Sequence, residues 1–127
     1  MKAAYLDTSA AVKLVIAEGE SEALRVWLRG RLLTSSALLR VELIRAVMPR
    51  GSAAVERGAR VLAQLELIRI GRLILDRASQ LEPPNLRTLD AIHLASAELI
   101  STAVLVSYDG RLTSAAAQRG LAVASPV

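Results

Sequence analysis

The sequence predicts an α/β fold in which helices form two layers around a central, mostly parallel sheet of about four or five short strands. Short apolar runs alternate with amphipathic, helix-like segments along the whole chain. The short runs are almost entirely apolar, as expected for parallel strands buried on both faces. With 127 residues and 53% hydrophobic content, the chain is long enough for one core and too short for two. We therefore expect a single three-layer α/β/α domain over residues 1–127.

The first part of the chain predicts a strand followed by two helices. The apolar run 2–6 predicts the strand, and Thr8 or Ser9 is placed to cap a helix over 10–17. A second amphipathic helix begins at Ser21. These elements place the end of the first strand directly before a helix.

The next segment predicts one strand and two longer helices. Residues 32–35 are predicted to form a second short strand, and Ser36 is placed to cap a helix over 37–48. Pro49 ends that helix, because proline cannot continue its hydrogen-bond ladder. Apolar residues in helical spacing predict a further helix over 52–65.

The second half repeats the alternation of strand and helix. A strand over 67–70 precedes a helix over 73–81, the prolines at 83–84 mark a loop, and Thr88 is placed to cap a helix that ends near Ile100. Three further elements are predicted: a strand over 103–107, a helix over 111–119 and a strand over 121–124.

Four acidic residues occupy similar places in this predicted pattern. Asp7 and Asp109 follow predicted strands, Asp90 opens a helix, and Glu42 lies about six residues, or roughly 9 Å, into the helix after the second strand. In an open parallel sheet, ligands bind outside the carboxyl ends of the strands, where the strand order reverses. All four acids can therefore reach one edge of the sheet.

A cluster of carboxylates indicates a divalent metal site. Carboxylates about 4 Å apart repel by roughly 4 kcal/mol per pair at an effective dielectric near 20, and a divalent cation relieves that repulsion. Cysteine is absent and histidine occurs once, as His93, so a zinc site is not expected. Oxygen ligands favour Mg²⁺, with Mn²⁺ as an alternative, and these ions keep coordinated water for a hydrolytic reaction.

Each acid also has a purely structural interpretation. Asp7 is well placed as an N-cap, Asp90 complements a helix dipole, and Asp109 with the following glycine is an ordinary turn pair. Glu42 has an i,i+3 partner in Arg45, although its neighbours are otherwise mostly apolar. Two other acidic chemistries do not match, because a DxD phosphatase lacks its second aspartate and a response-regulator receiver lacks its late lysine.

Charge and hydropathy limit the classes of partner. The net charge is +4, and all but two of the sixteen basic residues are arginine, which suits recognition of phosphate. An alternative is that this composition reflects a GC-rich coding sequence. No apolar run reaches the roughly 18 residues that span a bilayer, and no signal peptide is predicted. We expect a cytoplasmic protein with no membrane contact.

Four segments in order, 5–10, 34–42, 86–95 and 106–112, give the chain its resemblance to the PIN domain. Within that family it resembles the small VapC-type toxins of bacterial toxin-antitoxin systems. The resemblance covers essentially the whole length. It implies a Mg²⁺- or Mn²⁺-dependent endoribonuclease that cuts RNA, such as tRNA or rRNA, and is neutralised by a VapB-like antitoxin.

The resemblance also implies which residues carry the chemistry. The catalytic and metal-binding acids correspond to Asp7, Glu42, Asp90 and Asp109. Supporting or phosphate-contacting roles are expected for four further residues: Thr8, Ser9, Arg87 and Ser107. Some family members carry a further acidic or amide residue after the last aspartate, whereas this chain has Gly110, Arg111 and Leu112.

Several alternatives stay open from the sequence. His93 is either a proton relay or, as is common for a histidine between apolar neighbours, a packed and hydrogen-bonded side chain. The chain is either a nuclease acting on RNA, a nuclease acting on DNA, or a non-catalytic module that binds a metal or a partner. The apolar surfaces of the helices over 10–28 and 52–65 suit a homodimer or a groove for an antitoxin helix.

Overall fold

A parallel sheet is at the centre of the computed structural model, which describes residues 2–101 and 103–127. Its strands are β1 (Ala4–Leu6), β2 (Leu33–Ser36), β3 (Glu66–Ile68), β4 (Val104–Val106) and β5 (Val123–Ala124). All four pairings are parallel, and the strand order is β3-β2-β1-β4-β5. The predicted parallel sheet of short strands is confirmed.

Helices connect the strands at the positions that the sequence predicts, within one or two residues at most ends. They are α1 (Thr8–Val15), α2 (Ser21–Leu28), α3 (Leu39–Val47), α4 (Ser52–Gln64), α5 (Arg72–Ala78), α6 (Thr88–Leu99) and α7 (Gly110–Gln118). A short 3-10 turn over Met48–Arg50 follows α3. A proline lies in this turn, as expected where a helix has to stop.

The two faces of the sheet are covered by different helices. Along β1, Ala4 and Leu6 belong to the cluster formed with residues of α1 to α4. Tyr5 points to the opposite face, where it packs with Leu94 of α6 and Leu112 of α7. Alternation of side chains along a strand produces this division. The three-layer α/β/α architecture is therefore confirmed.

The strand order reverses between β1 and β4. The chain moves outward from β1 through β2 to β3 on one side, and returns to pair β4 with the other side of β1. The carboxyl ends of β1 and β4 consequently border a crevice, the usual ligand position in an open α/β sheet. Asp7 follows β1 directly, and Asp109 lies three residues after β4.

The predicted helix caps are wrong at three places. Asp7, and neither Thr8 nor Ser9, is the N-cap of α1. Ser36 is the last residue of β2 and Thr88 is the first residue of α6, and neither hydroxyl caps a helix. Thr8 and Ser9 donate instead to carboxylates, so their hydroxyls are used in contacts that local sequence patterns do not reveal.

The apolar faces proposed for docking are largely used inside the fold. Ala11 and Val15 of α1, together with Ala54 and Val61 of α4, are buried in the cluster beneath the sheet. These faces therefore contribute to the core of the chain itself. None of the helices in the described ranges is long and apolar enough to cross a membrane.

Candidate active site

Two of the predicted acids are held at the sheet edge by the helices that follow them. Asp7 accepts a hydrogen bond from the Ala10 backbone N–H at 3.0 Å, and Asp109 accepts one from the Arg111 backbone N–H at 2.9 Å. Each aspartate is thus the N-cap of a helix, α1 or α7. The structural interpretation of Asp7 as an N-cap is confirmed, whereas Asp109, expected as part of a turn pair with Gly110, caps α7 instead. Both caps fix their carboxylates beside the crevice between β1 and β4.

Asp7 lies in a cage of hydroxyl donors and is only 3% exposed. Ser9 donates to its Oδ1 at 2.7 Å, and Ser107 donates to its Oδ2 at 2.6 Å. Ser9 Oγ also accepts from the Tyr108 backbone N–H, and Ser107 Oγ accepts from the Asp109 backbone N–H. The two serines therefore join the loops after β1 and β4 into one unit around Asp7.

Burial is the main influence on the protonation of Asp7. It raises the pKa of the Asp7 carboxyl above its ordinary value, because a buried charge loses its hydration. Hydrogen bonds from Ser107, Ser9 and the Ala10 backbone favour the ionised form and oppose this rise without cancelling it. A cation at the site would also favour the ionised form of Asp7 and would lower its pKa, as those donors do.

Glu42 points to the same edge from α3, where side chains of α1 and α6 hold it. Thr8 Oγ1 donates to Glu42 Oε1 at 2.7 Å, and His93 Nε2 lies 2.7 Å from the same oxygen. Burial by itself would raise the pKa of the Glu42 carboxyl, but the hydrogen bonds from His93 and Thr8 lower it below its ordinary value. Within the described residues no ion pair joins Glu42 to Arg45, so that structural interpretation is wrong.

His93 links Glu42 to the centre of the sheet. It is 1% exposed, and its Nδ1 lies 2.8 Å from the hydroxyl of Tyr5 in β1. Burial raises the pKa of Tyr5 to about 12, so this hydroxyl is protonated. The two ring nitrogens of His93 thus bridge Tyr5 and Glu42, so each of the three polar groups has a hydrogen-bond partner. The packed and hydrogen-bonded interpretation of His93 is confirmed.

Replacing His93 with alanine is expected to destabilise the protein by at least about 2 kcal/mol, because the change leaves a cavity and removes a hydrogen bond from the buried Tyr5 and from the partly buried Glu42. Urea unfolding followed by circular dichroism measures this loss. The variant Tyr5→Phe removes one hydroxyl but keeps the ring, so a smaller loss is expected for it. Equal urea midpoints for His93→Ala and wild type would contradict this account of His93.

Asp90 completes the acidic edge from the first turn of α6. It is partly buried and receives no hydrogen bond from the described part of the chain. Burial raises the pKa of the Asp90 carboxyl, and the negative charges of Asp109 and Asp7 raise it further. His93 and Arg87 oppose this rise. Asp90 therefore lies close enough to the other two aspartates to be repelled by both.

The donor set fits a divalent cation, although the acids do not form a finished cage. Among residues 2–101 and 103–127, no three acidic or histidine side chains are grouped tightly enough to define a metal site. The reason is visible in the contacts, because Asp7 is held by serines and Glu42 by Thr8 and His93. Burial and the charges of Asp109 and Asp7 nevertheless raise the pKa of the Asp90 carboxyl, and a divalent cation that prefers oxygen ligands would favour its ionised form.

The structure links all eight residues that the sequence analysis singles out. Thr8, Ser9 and Ser107 all contact an acid, as the preceding distances show. Arg87 is exposed at the start of α6 and influences Asp90 by its charge. Asp109 is linked to this group through Ser107 and by its effect on Asp90.

Tyr108, the aromatic residue nearest the acids in sequence, is not an open stacking surface. Its hydroxyl donates to the Pro126 carbonyl at 2.7 Å, and Lys13 Nζ lies 4.7 Å from the centre of its ring. Two neighbours thus hold the ring in place. Base stacking on this residue is therefore not expected.

Two cavities lie near the start of α6, and only one of them reaches one of the four candidate acids. A cavity of about 720 Å³ between α5 and α6 is lined by residues such as Leu75, Leu81 and Ile92, and none of the four acids lines it. A smaller one of about 350 Å³ is lined by Asp90 and Arg87. Because contact with the acids matters more than size, the smaller cavity belongs to the candidate site.

Comparisons with known proteins agree with this architecture. Residues 4–118 match the PIN domain family. The chain is 48% identical over 129 residues to Ribonuclease VapC46 of Mycobacterium tuberculosis, with 99% of each chain covered. It superimposes with a TM-score of 0.73 on the crystal structure of Mycobacterium tuberculosis VapC20, a Sarcin-Ricin loop cleaving toxin, at 17% identity, covering 89% of this chain and 95% of that one. A chain of a toxin-antitoxin complex from Klebsiella pneumoniae gives the same TM-score at 22% identity, with 98% of both chains covered.

Proposed function

The chain belongs to the PIN-domain family and, within it, to the VapC-type ribonucleases, and from this premise we propose that it is a toxin that hydrolyses RNA at the edge formed by Asp7, Glu42, Asp90 and Asp109. The relative that is 48% identical over its whole length is named a ribonuclease, which supports an endoribonuclease activity. We further propose that the reaction depends on Mg²⁺, with Mn²⁺ as a substitute.

The convergence of three aspartates on one edge is the observation that carries this proposal. Asp7 and Asp109 are fixed by the helices they cap, and Asp90 carries the electrostatic effect of both. A single structural role for each aspartate would not require them to meet. An RNA phosphodiester is itself an anion, so this edge becomes productive only with positive charge between the acids and the substrate.

The chain's own residues have distinct tasks in this reaction. Asp7, Asp90 and Asp109 would hold the cation, and Glu42 would contribute directly or through water. A bound divalent cation supplies a water of lowered pKa and offsets the charge of the phosphoryl oxygens. Ser9 and Ser107 keep Asp7 in place, and Arg87 is available for a phosphate oxygen. Water adds to phosphorus and the bond to the 3′ oxygen breaks, which leaves a 5′-phosphate and a 3′-hydroxyl.

A substrate panel tests this function. Purified protein with Mg²⁺ is incubated with tRNA, with rRNA fragments and with DNA oligonucleotides of matching sequence, and the ends of the products are identified by mass spectrometry. We expect cleavage of at least one RNA, with 5′-phosphate ends and little cutting of the matched DNA. Equal cleavage of the DNA would assign a different substrate, and no cleavage of any RNA would remove the ribonuclease proposal.

A VapB-like antitoxin is the proposed protein partner. An arginine side chain from the antitoxin is the group best suited to the acidic edge, since it can bind carboxylates with two parallel hydrogen bonds and takes the place of the cation. An antitoxin in which that arginine is replaced should no longer inhibit cleavage. Unchanged inhibition would contradict this mode of neutralisation.

A homodimer is also proposed, and sedimentation of the purified chain measures it directly.

A further inference from the structure

A polar cleft of about 350 Å³ lies directly beside Asp90, on the side of the acidic edge that faces α7. Its volume is within the range of sites that hold small molecules or single groups of a larger ligand. One wall is the loop before α6, with Asn85, Leu86 and Arg87. The cleft continues the acidic edge, because Asp90 is part of its lining.

The opposite wall is a single face of α7. Arg111, Ser114 and Gln118 all line the cleft, and they are spaced by three and four residues, so they lie on the same side of the helix. Ala115 lies between them and is buried. The wall therefore presents one guanidinium, one hydroxyl and one amide group around a small apolar floor.

The two arginines of the cleft are available for an external anion. Arg87 and Arg111 are both exposed, and neither forms an ion pair with the described residues. The backbone N–H of Arg111 is bound to Asp109, which fixes the start of α7 while its guanidinium stays free. The two guanidinium groups suit one phosphate of a nucleic acid strand, next to the phosphate that would react beside Asp90.

We infer that this cleft, which we call the α7 cleft, binds the nucleotide next to the phosphate that is cut in a single-stranded segment of RNA. This inference rests on the proposed function, because it takes Asp90 as part of the cleavage site. Arg87 and Arg111 hold the phosphate of that nucleotide. Its base lies against Leu86 and Ala115, where the amides of Asn85 and Gln118 can reach the hydrogen-bonding edge of the base.

The chemistry of the α7 cleft agrees with the shortage of aromatic side chains. The chain has one tryptophan, two tyrosines and no phenylalanine, and Tyr108 is already packed. Amide side chains can bind base edges through paired hydrogen bonds. The apolar floor and the two amide groups of the cleft therefore supply the base contacts that aromatic residues supply elsewhere. They also give the reaction a preference for a particular base at one position beside the cut.

A binding experiment tests the phosphate contact without any cleavage. Fluorescently labelled single-stranded RNA from the substrate panel is titrated with the full chain in EDTA, at several salt concentrations. For Arg111→Gln we expect about 5- to 10-fold weaker binding. The logarithm of the affinity should also fall less steeply with the logarithm of the salt concentration, by about 0.7 in slope. The control Arg60→Gln removes an equally exposed arginine of α4, far from the cleft in the fold, and should change neither quantity by as much.

The base contact is tested by mapping the cleavage sites. Gln118→Ala and Asn85→Ala should relax the base preference at one position beside the cut, while cleavage of the preferred sequence falls by about 5- to 10-fold or less. Both side chains are exposed, so the fold should be unaffected, and thermal unfolding verifies this. If Arg111→Gln keeps wild-type affinity and salt slope and the two amide variants keep the wild-type preference, the cleft proposal is wrong.

The outcomes also separate this inference from the proposed function. A wild-type chain that cuts no RNA would contradict the proposed function, whereas the binding titration needs no cleavage and still decides the role of Arg111. A wild-type chain that cuts RNA while every cleft variant behaves like it would leave the proposed function intact and remove only the α7 cleft.

Discussion

Replacing Asp7 with asparagine is expected to reduce Mg²⁺-dependent RNA cleavage by about 100- to 1,000-fold, the range found when a preorganised electrostatic contact at a reaction centre is lost. The asparagine keeps the N-cap of α1, because its side-chain oxygen can still accept from the Ala10 backbone N–H. The loss should therefore come from the missing charge and not from a damaged fold. Initial rates of RNA cleavage, with thermal unfolding as a check on folding, measure both effects.

The matched control for this substitution is Asp76→Asn. Asp76 is exposed on α5, where its contact with Arg72 is a surface ion pair between largely solvated side chains. Removing such a pair changes stability little. Cleavage by Asp76→Asn should match that of the wild type. If Asp7→Asn were as active as this control, Asp7 would have no part in catalysis.

Replacing Asp90 with asparagine is expected to have opposite effects on activity and on stability. Cleavage should fall as strongly as for Asp7→Asn, because one of the three charged oxygen ligands becomes neutral. The metal-free protein should nevertheless gain stability at neutral pH, with a thermal midpoint higher by roughly 2 °C or more, because the repulsion from Asp109 and Asp7 disappears. Calorimetry in EDTA, paired with the cleavage assay, measures both quantities.

The predicted repulsion at Asp90 can also be measured through the dependence of stability on pH. The pKa values of Asp7 and Asp90 are raised in the folded chain above 3.8, so the folded state binds protons more tightly than the unfolded state. Metal-free stability should therefore fall as the pH rises from about 3.8 through the raised pKa values. Glu42 contributes the opposite trend only below its ordinary pKa of 4.5.

Asp90→Asn should make this fall in stability smaller, and Mg²⁺ should reduce it in the wild type because the ion favours the ionised carboxylates. Asp76→Asn should leave the pH dependence unchanged. A lower thermal midpoint for metal-free Asp90→Asn at neutral pH would contradict the view that these aspartates repel one another.

Much of the fold could be predicted from the sequence because its signals are local. Apolar runs such as 103–107 and the periodic segment 52–65 predict the strand Val104–Val106 and the helix Ser52–Gln64. Parallel pairing follows from the alternation of strands with helices. The meeting of the acids follows in turn, because parallel strands end at the same edge of the sheet.

The contacts that orient the acids could not be predicted in the same way, because they join distant parts of the chain. Thr8 and Ser9 have the local pattern of helix caps, yet they donate to Glu42 and Asp7. His93 lies 51 residues from Glu42 in sequence. Only its spacing of three residues from Asp90 on one helix indicates that it faces the same region. The face of α7 that starts at Arg111 has a similar signal, since its polar residues recur at helical spacing.

The dependence of RNA cleavage on the divalent ion tests the central claim most directly. The wild-type chain is freed of metal with EDTA, and the cleavage rate of one mapped RNA site is measured while Mg²⁺ is added back at pH 7. An acidic edge that works only with a bound cation predicts no cleavage in EDTA and a saturable increase with Mg²⁺, which Asp7→Asn should not show. Cleavage in EDTA at the rate observed with Mg²⁺ would contradict the assignment of the four acids as a metal-dependent catalytic site.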